Sequence, residues 1–135
     1  MTNRHDGASL QNTFYVDRDD IRHLARLSGN GRREHINWEA ATNAGFERLV
    51  APTSLIVSYF ETVVGALFDT SIAGRLTDLT MGFKMVPVYA GDRISVSVQV
   101  AVWIEDTQCA CVTMEALKAD SNQPLAVGTV WVDLK

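Results

Sequence analysis

The stretch APTSLIVSYFETVVGALF, Ala51 to Phe68, decides the fold. Pro52 precedes a Thr53 or Ser54 placed to cap a helix. Beyond them Leu55, Ile56, Val57, Tyr59, Phe60, Val63, Val64 and Leu67 point apolar side chains to nearly every side. The polar positions, Ser54, Ser58 and Glu61 with Thr62, fall on one narrow stripe. A helix apolar around most of its circumference has to be enclosed by the rest of the protein. The run is too short and too interrupted to cross a bilayer, so no membrane association is expected.

Downstream the hydrophobic period changes to two. ISVSVQVAVW puts Ile94, Val96, Val98, Val100 and Val102 on one face of a strand. TQCACVTMEAL alternates Ala110, Val112, Met114 and Ala116 against polar or small residues. PLAVGTVWVDL and LTMGFKMVPVY (Leu79–Tyr89) are also strand-like, the latter ending at the turn YAGD. Upstream, TFYV (Thr13–Val16) predicts a short leading strand. Asp17 then reads as an N-cap with Asp20 as its partner three residues on. Ile21, Leu24, Ala25 and Ser28 keep helical spacing, and Gly29 is placed to end that helix. A second short helix is expected from Asn37 to Gly45. Four long strands and one short strand around a single buried helix make an α+β fold, an antiparallel sheet curled around the helix.

At 135 residues the chain suits a single domain, and no repeat or linker divides it. Residues 1–12 are polar and are expected to be frayed, leaving 13–135 as the domain. They lack the apolar core of a secretion signal, which points to a cytoplasmic protein. A net charge of -4 and an acidic pI argue against nucleic acid as a partner. Cys109 and Cys111 share one strand face without a companion pair to complete a metal site, so buried reduced thiols and no metal are expected.

Three segments in order carry a family resemblance: LARLSGNGRREHINWEAA, LVAPTSLIVSYF and FKMVPVYAGDRISVSVQV. They resemble the loop S-G-D-x-N-P-x-H, the A-H-G-M or A-P-P-T opening of the central helix, and the P-V-x-x-G-D strand end of the MaoC-like hydratases and dehydratases. The resemblance covers residues 14 to 134 and implies the hot-dog fold. It also implies addition or removal of water across the α,β bond of an acyl thioester, carried on coenzyme A or on the phosphopantetheine of an acyl carrier protein. No other cofactor is implied. Hot-dog domains of this length usually pair, which implies a homodimer.

Carried over by position, the resemblance makes His35 the general acid or base and the Thr53 amide the donor to the thioester oxygen. A helix start offers unpaired N–H groups and a positive dipole end to an enolate-like oxygen. Asn30 stands where the family has aspartate, Arg32 and Arg33 replace its Asn-Pro, and Asn37 stands where an aspartate often follows the histidine. An amide accepts no proton near neutrality, but it orients a water through its carbonyl and donates through its NH₂. His35 is then the one titratable group of the pair, unless it is a structural histidine bonded to backbone. Glu34 follows two arginines that favour a surface ion pair over a catalytic role. Ser54 and Ser58 either face the pantetheine tunnel or satisfy their hydroxyls on the helix backbone. Arg18, Arg22 and Arg26, with Arg32 and Arg33 just beyond, form a basic region suited to the phosphates of coenzyme A or to an acidic carrier protein. A solvated helix face with local ion pairs is the alternative.

The altered loop leaves two rivals to a hydro-lyase. One is a non-catalytic hot-dog subunit that supports an active partner in a heterodimer. The other is a divergent thioester isomerase, cyclase or thioesterase of a biosynthetic pathway.

Overall fold

A computed structural model describes residues 6–27 and 49–135. The expected stop at Gly29 and the expected helix from Asn37 to Gly45 lie outside these residues. In chain order the elements are β1 (Ser9–Tyr15), α1 (Arg18–Leu27), α2 (Thr53–Phe68), β2 (Leu76–Phe83), β3 (Arg93–Ile104), β4 (Cys109–Lys118) and β5 (Pro124–Asp133). The strands form one antiparallel sheet in the order β1-β3-β4-β5-β2. Helix α2 packs on β1, β3 and β4. This is the expected antiparallel sheet around a long helix.

The core sits between α2 and the inner sheet face. Leu55, Ile56, Tyr59, Phe60, Val63 and Val64 of α2 are buried, against Ile94, Val96, Val98 and Val100 of β3 and Ala110, Val112, Met114 and Ala116 of β4. The small residues Ala110 and Ala116 leave room for the bulky helix face, as close packing requires. Enclosure of α2 is incomplete, because Glu61, Thr62 and Ala66 are exposed. The first two belong to the narrow polar stripe. The helix ends at Asp69, whose left-handed backbone (φ 52) turns its N–H to the Ala66 carbonyl.

The period-two reading of β3 fails at one point. A bulge between Val100 and Val102 shifts the register, so that Val100 faces Val112 but Val102 faces Cys111. One extra residue reverses the alternation. Val102 turns outward, 45% exposed, and Trp103 packs on the core in its place. Cys109 and Cys111 alternate with the buried Ala110 and Val112 and therefore lie on the outer face. Both are free and only partly buried, which corrects the expectation of buried thiols.

Two strand boundaries also move. β1 starts at Ser9, inside the stretch expected to be frayed, and runs to Tyr15, paired with β3 from Ser9–Gln99 to Tyr15–Arg93. It is an edge strand, and its polar residues suit its exposure to water, since only Phe14 is half-buried. Val16, expected to end this strand, leaves it and is fully buried. β2 covers Leu76–Phe83 rather than Leu79–Tyr89. It begins before Leu79 across a bulge at Asp78, whose φ is 53. It ends where Lys84 N–H makes a last bond to the Leu125 carbonyl, after which Met85 is fully exposed and Val88 turns into the core. Gly128 lies between Met81 and Met114 in register. A Cβ there would meet the Met81 sulfur and, at 2.7 Å, the Thr80 carbonyl oxygen, so no larger residue fits without backbone movement.

The bulge yields a paired prediction. Val100→Thr buries a hydroxyl in the core and should cost about 1–3 kcal/mol, whereas Val102→Thr should stay within about 0.5 kcal/mol of the parent. Urea unfolding of the two variants measures this, and equal losses would mean that both side chains face the core.

Candidate functional site

The start of α2 is fixed by its neighbours. Ala51 N–H donates to the Val88 carbonyl at 2.7 Å, Ala90 N–H donates to the Leu49 carbonyl at 2.9 Å, and Val50 and Tyr89 form an isolated antiparallel bridge. The cap is not Thr53 or Ser54. It is Pro52, held extended at φ -70 and ψ 153, and no side chain among the described residues caps the helix. Proline presets this backbone, and its carbonyl accepts from Leu55 N–H at 3.0 Å. Thr53 is thus the first helical residue and is exposed. First-turn amides have no partner within their own helix, so the Thr53 N–H stands at the positive end of a sixteen-residue helix.

The two serines on the polar stripe differ. Ser58 donates its hydroxyl to the Leu55 carbonyl at 2.6 Å and is satisfied within the helix. Thr62 bonds the Ser58 carbonyl in the same way at 2.9 Å. Ser54 Oγ is buried and has no hydrogen-bond partner among the described residues. An orphaned hydroxyl beside an uncapped helix start suits an arriving polar group, because leaving it unmade costs free energy.

Tyr59, on the apolar face of the helix, carries a second buried hydroxyl without a partner among the described residues. Its ring stacks on Phe14 of β1, with centroids 4.3 Å apart and planes within 9°. Burial, and then the carboxylates of Asp20 and Asp17, push its pKa from the ordinary 10.0 up to about 12. The signal in the sequence is a tyrosine where a phenylalanine would fill the same space.

Asp17 caps α1 as expected, its Oδ1 accepting from Asp19 N–H at 2.7 Å. Of the basic region, Arg18 is exposed. Arg22 lies 4.0 Å from Asp19, a surface pair of little energetic weight. Asn30, Arg32, Arg33, Glu34, His35 and Asn37 lie outside the described residues, as does the side chain of Arg26. Among the described residues no group of three or more His, Cys, Asp or Glu side chains is arranged to hold a metal ion. None of the described helices is long and apolar enough to cross a membrane. On the outer sheet face, away from α2, a groove of about 840 Å³ is lined by polar residues such as Gln11, Gln99, Thr113, Glu115 and Thr129.

A family model described as the FAS1-like dehydratase domain region matches residues 7–126. The chain belongs to this MaoC-like hydratase/dehydratase family. Among its relatives, the mitochondrial 3-hydroxyacyl-acyl-carrier-protein dehydratase FERN of Solanum lycopersicum is 32% identical over 93 residues, 69% of this chain and 54% of that one. The chain therefore spans about half the length of that curated relative. The fold is that of an (R)-hydratase from A. caviae involved in PHA biosynthesis, at TM-score 0.85 and 22% identity over 96% of both chains. It is also that of the HadBC 3R-hydroxyacyl-ACP dehydratase complex of Mycobacterium tuberculosis, at TM-score 0.78 and 20% identity over 98% of both. The ChsH1-ChsH2 complex of the same organism matches at TM-score 0.80 and 18% identity, over 98% of this chain and 100% of that one. The MaoC-like hydratase/dehydratase chain is thus a single hot-dog domain.

The raised tyrosine gives a pH prediction. A folded-state pKa above the ordinary 10.0 means that the Tyr59 contribution to stability is intact below pH 10 and is lost as pH rises toward about 12. Tyr59→Phe removes the orphaned hydroxyl and should be at least as stable at neutral pH, with a gap that widens in its favour above pH 10. Thermal unfolding against pH follows it, and parallel curves for the two proteins would show that Tyr59 ionises freely.

Proposed function

We propose that this chain binds an acyl thioester at the start of α2 and adds or removes water across its α,β bond. The observation that carries the reading is the uncapped first turn of α2 in a member of this family. The Thr53 N–H is directed out of a helix start, with the orphaned Ser54 hydroxyl one residue on. Charge developing on the thioester oxygen is stabilised by such a donor at a dipole end. Ser54 Oγ supplies a further hydrogen bond to the bound acyl group or its pantetheine, and Ser58, bonded to its own helix, shapes the wall of that path.

In the hydration direction, His35 takes a proton from water as the oxygen attacks C3. The electrons move onto the thioester oxygen held by Thr53. A proton returned to C2 completes the addition. Asn30 orients the water through its carbonyl without titrating. Arg32 and Arg33 meet the phosphates of coenzyme A or of a carrier-protein phosphopantetheine, and no cofactor is needed beyond that carrier. A homodimer in the cytoplasm is the simplest setting, although the curated relative is mitochondrial.

Asn30 in place of an acid favours one rival, a supporting subunit in a heterodimer. Two folds similar to this one come from complexes, HadBC and ChsH1-ChsH2. Native mass together with activity separates the readings: an inert chain that gains hydratase activity only with a second protein supports the subunit.

Two sets of variants test the hydro-lyase on an unsaturated acyl thioester. His35→Ala should lower kcat by roughly 10²–10⁴, and Asn30→Asp should raise it. Unchanged rates in both would sink the assignment of the acid-base pair. Thr53→Pro deletes the N–H together with an exposed side chain and leaves the helix start in place, since proline is favoured at the first helical position and the extended Pro52 suits a following proline. It should cost about 10²–10³ in kcat with the fold intact. Full activity in that variant removes the oxyanion role.

A further inference from the structure

One turn ties together both ends of the segment that leads from β1 to α2. At the first end, Val16 N–H donates to the Asp92 carbonyl at 2.9 Å, and the Val16 carbonyl accepts from Gly91 N–H at 2.8 Å. At the second end, Ala51 and Leu49 exchange backbone bonds with Val88 and Ala90. Asn30 and His35 lie in sequence between these two attachments. The turn is therefore the common reference for where that segment departs and where α2 begins.

The turn is stiffened from within. Asp92 N–H donates to the Tyr89 carbonyl at 3.1 Å, and Asp92 Oδ2 accepts from Tyr89 N–H at 2.9 Å. Gly91 takes φ 94, a backbone that costs any side chain dearly. The same Asp92 oxygen lies 3.4 Å from Lys118 Nζ, with the two side chains only 14% and 21% exposed. The ammonium also stands 5.4 Å from the centroid of the Tyr89 ring. Lys118 closes β4, and the next residue, Ala119, donates its N–H to the Arg93 carbonyl at the start of β3. Removing one member of a charge pair shielded from water costs more than removing one at the surface, and Asp92 Oδ2 would then keep the Tyr89 N–H but lose its link to β4.

We propose that the Asp92–Lys118 pair is a positioning clamp: it locks the 89–92 turn to the end of β4 and so fixes Val16 and Ala51 relative to each other. Neither residue touches substrate. The pair acts through the spacing between the segment bearing His35 and the first turn of α2, and in this sense it rests on the function proposed above. Small misplacements of reacting groups are costly, on the order of 10²-fold in rate for 1 Å.

Lys118→Met and Lys118→Arg in the full chain test the clamp by amide hydrogen exchange and by kinetics on an enoyl thioester. The methionine variant should speed exchange together at Val16, Ala51, Ala90 and Gly91, by roughly tenfold or more. It should also lower kcat roughly ten- to a hundredfold, while KM and the pH dependence of kcat stay put. Arginine, which keeps the charge, should restore much of both. Exchange that rises only beside residue 118, or not at all, overturns the clamp, as does loosening of the four amides with kcat unchanged. If the methionine variant does not fold, the parent chain decides: the four amides must share one protection, and four unrelated values overturn the proposal. A parent chain inert toward every enoyl thioester overturns the hydro-lyase reading instead, and the exchange pattern still judges the clamp.

Discussion

Burial of α2 against the concave side of β1, β3 and β4 is the interaction on which the rest of this structure depends. Six of its side chains are withdrawn from water, each worth about 1.5–3 kcal/mol in area transferred before conformational entropy is set against it. The helix contributes little on its own behalf at its start, since no side chain among the described residues caps it. Its position comes from the sheet and from the backbone bridge at Val50–Tyr89. A helix held from outside in this way can leave its first amides unsatisfied, which a helix relying on its own caps cannot. The feature that suits the site to an oxyanion is thus bound up with the packing of the core.

Polar groups around α2 divide accordingly. Ser58 and Thr62 spend their hydroxyls on helix carbonyls and stabilise what is already formed. Ser54 and Tyr59 do not, and each hydroxyl is buried without a partner among the described residues. Ser54 adjoins the helix start, where a ligand would relieve that cost. Tyr59 stands beside Phe14 and the acidic start of α1, where burial and then the Asp20 and Asp17 carboxylates raise the pKa of its hydroxyl instead. Two orphans on one helix therefore have different physical consequences.

Much of the fold was legible because the core strands follow the simplest rule, alternation, and β4 obeys it throughout. Where the structure departs from the sequence reading, the cause is a local backbone event without a side-chain signature. Val100 and Val102 are identical residues, so nothing marks the bulge that turns one of them outward. The polar residues of β1 look like a frayed end, yet backbone pairing with β3 holds the strand from Ser9 to Tyr15 whatever its side chains. Pro52 displaces the expected threonine or serine cap because it supplies the extended backbone directly. Of the site, Thr53 and Ser54 were legible as the helix opening. The difference between Ser54 and Ser58 depends on hydrogen bonds that no spacing reveals. Asn30, Arg32, Arg33 and His35 lie outside the described residues, and their roles rest on the family motif.

The central claim is that the first turn of α2 receives the carbonyl of a sulfur-linked acyl group. Titration of the ¹⁵N-labelled chain with a saturated acyl-pantetheine, which binds but cannot be hydrated, addresses it without reference to turnover. The account predicts a downfield shift of the Thr53 amide as it engages the carbonyl oxygen, with Ser54 and Ala51 moving beside it. Shifts confined to the outer-face groove around Gln99, Thr113 and Thr129, with Thr53 unmoved, would contradict it.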